Sequence, residues 1–209
     1  MRAGSDGRLP DRVEPNPFAT RFTRAGALPP LNEDGSSFDA AAVLAALEKG
    51  GGCGAFVGPH GSGKSTRLEA SATAAGKRGL VVKKMRLRRV LDLLAALRQL
   101  LTLPSGSLLC IDSLELAGRL GASWLVRLAR LRGILLLATC HEPLGLPVLV
   151  DCRTSLELLE RILDHLPPHD DCLNQHDLAD AFAASDGNLR EALFALYDRV
   201  EAARRRQRS

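Results

Sequence analysis

The stretch CGAFVGPHGSGKST, residues 53–66, decides the fold of this 209-residue chain. Its first five residues form a short apolar run bounded by glycines, which predicts a buried β-strand rather than a helix. Residues 58–66 match the pattern G-x-x-x-x-G-K-[ST] in full, and residues 65–75 have the composition of a helix. A strand, a glycine-rich loop and a helix in this order are typical of a phosphate-binding loop.

Each residue type in this loop has a chemical reason. The glycines permit a tight turn whose backbone N–H groups point inward, and the N-terminus of the following helix adds a partial positive charge. A lysine can reach the β- and γ-phosphates of a nucleotide, and a serine hydroxyl can bind Mg²⁺. We therefore expect the whole loop to bind a nucleotide and Ser65 to bind the metal: Gly58, Pro59, His60, Gly61, Ser62, Gly63, Lys64, Ser65 and Thr66.

A carboxylate that completes a metal site is expected at the end of a neighbouring strand. The apolar run SLLCID ends in Asp112, which we predict as the second metal ligand. The next acid along the chain is Glu115, which we predict as the general base. The ordinary alternative is a solvated glutamate in the first turn of a helix, where carboxylates are favoured.

Further apolar runs alternate with helical patterns on both sides of the loop. This alternation of continuous apolar strands and helices predicts an α/β fold, with a parallel five-stranded sheet sandwiched by helices. We predict the other strands at residues 80–84, 107–112, 134–139 and 148–152, and the helices at residues 38–49, 65–75, 90–101 and 122–131.

From residue 154 onward the pattern predicts helices only. Capping boxes at Thr154-x-x-Glu157 and Asn174-x-x-Asp177 begin the first two, and Asn188-x-x-Glu191 begins a third. We expect three regions: an extended arm at residues 1–35, the phosphate-binding core at 36–153, and a small α-helical lid with a basic tail at 154–209.

Three more polar residues occupy places that suit phosphate chemistry. Thr139 and His141 lie at the end of the fourth strand, where they can orient water near the phosphates. Arg190 lies in the first turn of a lid helix, where the helix dipole disfavours a cation unless an anion faces it. We predict that all three act in catalysis.

At this point the constellation resembles the AAA+ class of P-loop ATPases. It is similar in its Walker A motif at residues 58–66, its Walker B strand at 108–112, a sensor 1 residue at Thr139 and a G-N-L-R sensor 2 motif at 187–190. The resemblance implies that ATP and Mg²⁺ are the cofactors and that the activity is ATP hydrolysis. It also implies that the segment 16–18 lies near the adenine.

Alternatives stay open from the sequence. Ser113 stands where hydrolytic members of that class usually have glutamate, which favours a nucleotide-dependent binding module with slow or no hydrolysis. A small-molecule P-loop kinase would use the same loop. We expect a protein partner of unknown identity, and basic clusters at residues 83–89 and 204–208 make nucleic acid a possible partner, although base-stacking aromatic residues are nearly absent.

Composition bounds the remaining choices. The chain is 45% hydrophobic and 25% charged, with a net charge of +4, so it can bury a core. Neither a secretory leader nor an apolar run long enough for a bilayer is evident, and we expect a cytoplasmic protein without a membrane partner. Five scattered cysteines fit no zinc pattern and are expected in the core.

Overall fold

The computed structural model describes residues 16–24, 26–167 and 173–207. Five parallel strands form one sheet in the order β2-β3-β4-β1-β5. The strand β1, which lies inside the sheet between β4 and β5, carries the predicted loop at its carboxyl end. The α/β fold class is confirmed. The strands are β1 (Cys53–Val57), β2 (Val82–Arg86), β3 (Leu108–Asp112), β4 (Leu135–Cys140) and β5 (Val148–Asp151).

Helices cover both faces of the sheet. On one face α2 (Ala40–Lys49) and α3 (Lys64–Lys77) pack over Phe56, and on the other α4 (Asp92–Thr102) and α5 (Gly118–Leu131) pack over Ile111. Because successive side chains of a strand point to opposite faces, strands covered on both sides are apolar throughout. This explains why the central strands appear in the sequence as unbroken apolar runs.

The strand β2 extends two residues past its predicted end, which brings Arg86 next to Asp112. The sequence predicts residues 80–84, but the strand ends at Arg86, because it pairs with β3 in register from Val82 with Leu108 to Arg86 with Asp112. A polar run forms this edge strand because pairing with a neighbour, rather than its own hydrophobicity, holds it in the sheet.

The lid consists of α6 (Leu156–Leu163), α7 (Gln175–Ala184) and α8 (Leu189–Gln207), which share a separate apolar core. The Asn174–Asp177 capping box is confirmed. The capping box at Thr154 is wrong: α6 is capped by Ser155, whose Oγ accepts from the Leu158 N–H at 3.0 Å.

The described part of the arm packs against the lid and the loop. Phe18 is fully buried in the lid core, and the Asn16 amide donates to the Tyr197 carbonyl at 3.1 Å. A short helix α1 (Thr20–Thr23) follows. The arm is thereby fixed to the lid before it reaches the core.

The described cysteines are buried and free: Cys53, Cys110, Cys140 and Cys152. Burial raises the pKa of Cys110 to about 12 and that of Cys140 to about 11, so both thiols are protonated at neutral pH. Cys172 lies outside the described residues. Among the helices that the structure describes, none combines the length and apolar character needed to span a bilayer.

Candidate functional site

A cavity of about 410 Å³ opens where the carboxyl edge of the sheet meets the lid. Cavities of this size commonly hold small molecules and cofactors. The five residues predicted to be catalytic all line it: Lys64, Glu115, Thr139, His141 and Arg190. So do Asp112 and seven of the nine predicted loop residues, namely His60, Gly61, Ser62, Gly63, Lys64, Ser65 and Thr66. The roles of these residues stay predictions.

The loop leaves the start of α3 without a side-chain cap. Gly63 precedes the helix in the left-handed region, at φ 79°, and no side chain accepts from the first-turn N–H groups. The starts of α2, α6 and α7 are capped by the side chains of Asp39, Ser155 and Asn174, whereas α4 and α5, like α3, begin without such a cap. Of these three uncapped starts, that of α3 lines the cavity. Uncapped N–H groups at a helix N-terminus are ready donors for an anion.

The Lys64 side chain lies across its own loop. Its Nζ donates to the carbonyls of Gly58 at 2.7 Å and Pro59 at 2.5 Å. Burial lowers the pKa of Lys64, and nearby anionic groups, among them the carboxylates of Glu115 and Asp112, oppose that shift. An anion bound in the cavity would stabilise this partly desolvated ammonium group.

Asp112 is the point where several elements meet. Its Oδ1 accepts from the Ser65 hydroxyl at 3.0 Å and from the Thr139 hydroxyl at 2.6 Å. Its Oδ2 lies 3.5 Å from Nε of Arg86. Thr139, which is 1% exposed, also accepts from the Ser113 N–H at 2.9 Å. The Thr139 hydroxyl therefore joins β4 to the end of β3.

Ser113 makes the turn that brings Glu115 into the cavity. Its φ of 64° is unusual for a residue other than glycine, and a 3₁₀ turn at Leu114–Ala117 follows directly. Glu115 thus lies in a 3₁₀ turn that precedes α5, and this turn starts before the helix that the sequence predicts at residues 122–131. Backbone strain of this kind persists where the surroundings hold it, here through the Ser113 N–H bond to Thr139.

His141 holds Glu115 against the loop. Its Nε2 lies 3.2 Å from Glu115 Oε1, and its Nδ1 lies 3.1 Å from the Gly58 carbonyl. The ring of His141 thereby bridges the Glu115 carboxyl group and the backbone of the phosphate-binding loop. The other oxygen, Glu115 Oε2, is buried and has no hydrogen-bond partner among the described residues.

The loop touches the lid directly. A Cβ placed on Gly61 would lie 1.9 Å from Oδ1 of Asn188, the residue before α8, so only glycine permits this close approach. The same Asn188 oxygen accepts from the N–H groups of Arg190 and Glu191. The start of α8, which carries Arg190, is thus positioned against the phosphate-binding loop.

Several cavity residues are absent from the sequence predictions. Arg86 was not predicted as a cavity residue, because the predicted β2 ends two residues before it. Four arm residues were not predicted because their segment has no periodic pattern: Thr20, Thr23, Arg24 and Leu28. Phe18, which the resemblance puts near the adenine, lies in the lid core instead and does not line the cavity.

Arg67 is a further residue that sequence patterns do not reveal. It is only 3% exposed, and its guanidinium donates to the carbonyls of Ser62 at 2.7 Å and Leu31 at 2.6 Å. Because an arginine is rarely buried without partners, these bonds fix its place. They tie the phosphate-binding loop to the arm.

No model of a known protein family matches this sequence, and no curated protein matches it. Two solved structures are similar in fold. A DNA replication initiation factor is 19% identical with a TM-score of 0.50. The replication initiator DnaA bound to AMPPCP and single-stranded DNA is 18% identical with a TM-score of 0.53.

Each of these alignments covers 80% of this chain and 63% of the other, so this chain spans less than two thirds of their length. At such identities the likeness concerns the fold alone. This chain has the α/β P-loop NTPase fold that the sequence predicts.

The Thr139 hydroxyl provides a test of the site's construction. Thr139→Val keeps the shape but leaves the Ser113 N–H and the Asp112 carboxylate without this partner. We expect the free energy of unfolding to fall by about 1–3 kcal/mol, measured by urea denaturation. Thr139→Ser retains the hydroxyl, so its free energy of unfolding should fall less. If the valine variant were as stable as the parent, the two hydrogen bonds of the Thr139 hydroxyl would not stabilise the fold, contrary to this prediction.

Proposed function

We propose that this protein binds ATP with Mg²⁺ in the cavity between sheet and lid, as an AAA+-like ATPase, and that hydrolysis changes the position of the lid. One observation carries the proposal. The uncapped start of α3 faces the same cavity as the hydrogen-bonded pair of Ser65 and Asp112. Backbone N–H groups that can donate hydrogen bonds to phosphate therefore lie next to oxygen atoms that can bind a metal ion.

The donor set fits magnesium. Mg²⁺ binds oxygen ligands and is commonly held by one or two carboxylates together with substrate phosphates. Ser65 Oγ and Asp112 Oδ1 are 3.0 Å apart, so one ion can be reached by both groups. When bound, the ion would neutralise charge on the β- and γ-phosphate oxygens.

Lys64 and the loop N–H groups would hold the triphosphate. The Lys64 ammonium group is already partly desolvated and lies near Asp112 and Glu115. When a phosphate binds, the hydrogen bonds of this ammonium group could pass from the neutral loop carbonyls to negatively charged oxygens, which are stronger acceptors for a cation. The absence of a side-chain cap leaves the first-turn N–H groups of α3 free for the same anion.

Glu115 is suited to accept a proton from an attacking water. Glu115 lines the cavity, its Oε1 is held by His141, and its Oε2 has no hydrogen-bond partner among the described residues. A general base needs one oxygen that is free to accept and a fixed orientation. We assign His141 the role of holding Glu115, and Thr139 that of fixing Asp112.

Arg190 would connect nucleotide state to lid position. It lines the cavity from the first turn of α8, next to the close contact of Gly61 with Asn188. A guanidinium group pairs well with phosphate oxygens, since its planar fork can donate two bonds at once. Loss of the γ-phosphate would remove that partner and release this end of the lid.

A second function has a specific observation in its favour. Ser113 occupies the position after Asp112, and Glu115 reaches the cavity only through the left-handed Ser113 and the 3₁₀ turn. This route supports a nucleotide-dependent binding module in which hydrolysis is slow. Binding is common to both candidates, and the rate of turnover separates them.

Removal of the loop cation tests nucleotide binding. Lys64→Ala should weaken ATP binding at least about tenfold, since a hydrogen bond to a charged group contributes ~1.5–3 kcal/mol. Calorimetric titration with ATP and Mg²⁺ measures this, with Lys77→Ala on the outer end of α3 as the matched control. Unchanged affinity of the Lys64 variant would refute the proposed site.

Variants of Glu115 and Asp112 should distinguish an effect on ATP hydrolysis from an effect on ATP binding. Glu115→Gln should leave ATP affinity near the parental value and reduce turnover by about 10²–10⁴-fold, the usual contribution of a general base. Asp112→Asn should instead weaken the Mg²⁺-dependent part of binding. A Glu115→Gln variant that hydrolyses ATP at the parental rate would exclude Glu115 as the base, and an inactive parent would favour the binding module.

A further inference from the structure

The outer face of α4 and α5 exposes an unusual amount of apolar surface. Of the eleven large hydrophobic residues that are exposed in the described part of the chain, eight lie between residues 90 and 131. Monomeric soluble proteins rarely expose large contiguous apolar patches without an interaction partner. We call the exposed apolar residues of these two helices, together with those just before each helix, the α4–α5 surface: Val90, Leu91, Leu94, Leu101, Leu116, Leu120, Trp124 and Leu131.

The two helices lie side by side and run in the same direction. Near their starts a Cβ placed on Gly121 would lie 3.1 Å from the Leu93 side chain, and near their ends Arg132 donates to the Leu101 carbonyl at 3.2 Å. Two parallel helices in contact form a shallow groove along their outer face.

Exposed apolar side chains follow one row on each helix. On α4, Leu94 and Leu101 are seven residues apart, and on α5, Leu120, Trp124 and Leu131 follow at spacings of four and seven. Residues at these spacings share one face of a helix. The apolar rows therefore extend along the length of the groove.

The charged side chains of α4 and α5 are basic with one exception. Asp92, the first residue of α4, accepts hydrogen bonds from the N–H groups of Arg88 and Arg89. Residues 93–111 and 116–133, which include nearly all of α4 and the whole of α5, contain no acidic residue. They contain five exposed arginines, none of which forms an ion pair with a described residue: Arg98, Arg119, Arg127, Arg130 and Arg132. A partner for this surface must therefore present both apolar and negatively charged groups.

We propose that the α4–α5 surface binds an acidic amphipathic helix of another protein. Such a helix would bury its apolar side in the groove, as in other helix-in-groove complexes. Its carboxylates would pair with Arg98 on α4 and with Arg119 and Arg127 on α5. This assignment rests on the shape and charge of the surface and does not depend on nucleotide binding.

Arg127 argues for a helix over a lipid bilayer. It shares a row with Trp124 and Leu131, so on a bilayer its guanidinium would have to extend away from these two side chains to the headgroup region. A partner helix can present a carboxylate there. Nucleic acid would satisfy the arginines but not cover the leucines, and a second copy of this face would meet it with like charge.

Trp124 makes the proposal directly testable, because it is the single tryptophan of the chain and is 64% exposed. The probe is a peptide of about 18 residues, long enough for a stable helix, with leucines on one side, glutamates flanking them and no aromatic residue. The control peptide has lysine in place of each glutamate. We expect the Trp124 emission to shift to shorter wavelength, saturably, with the acidic peptide only.

Variants locate the binding to this surface. Arg98→Glu and Arg127→Glu should each weaken the acidic peptide about tenfold, the effect of ~1.4 kcal/mol, whereas Lys77→Glu on the opposite face of the sheet should not. Circular dichroism establishes that each variant is folded. Added salt should weaken binding of the parent and leave the reversed variants less affected.

Three results would overturn the proposal. The Trp124 emission could respond equally to both peptides, which would indicate unspecific apolar association. It could respond to anionic lipid vesicles or to single-stranded DNA and not to the acidic peptide, which would assign this surface to those partners. It could respond to none of these probes.

Discussion

The carboxylate of Asp112 joins four elements at the carboxyl edge of the sheet. It accepts hydrogen bonds from Ser65 at the start of α3 and from Thr139 at the end of β4, and Arg86 of β2 lies beside it. The Asp112 side chain is 17% exposed, and a carboxylate that has lost most of its hydration needs several donors to offset the loss. The arrangement of the loop, the central strands and the predicted metal ligands therefore depends on this one group.

A second set of contacts ties the lid and arm to the same loop. Arg67 donates to the Ser62 and Leu31 carbonyls, and Asn188 approaches Gly61 too closely for any side chain at that position. Phe18 anchors the arm in the lid core. Because the loop contacts both arm and lid, a ligand that moves the loop would act on both. This is the physical basis for the proposed link between nucleotide and lid position.

The sequence predicted those parts that depend on local patterns. The bounds of β1 are confirmed, and the loop begins α3 within one residue of the predicted start, because glycine spacing and an apolar run define both locally. Arg86 could not be predicted, since its place beside Asp112 follows from the pairing of β2 with β3. The route of Glu115 into the cavity was equally hidden, because it depends on the left-handed turn at Ser113 that Thr139 holds. The error at Thr154 has a simpler origin: two adjacent hydroxyl residues can each cap a helix, and Ser155 does.

The central claim is that one cavity holds a Mg²⁺-bound nucleoside triphosphate between sheet and lid. A crystal structure with AMPPCP and Mg²⁺ tests it most directly. The account predicts that the triphosphate lies against the N–H groups of residues 61–65. It also predicts that the metal ion contacts the Ser65 hydroxyl and lies beside the Asp112 carboxylate. Nucleotide bound elsewhere, or a loop in which Lys64 still lies on the Gly58 and Pro59 carbonyls while the cavity holds no nucleotide at saturating concentration, would contradict the claim.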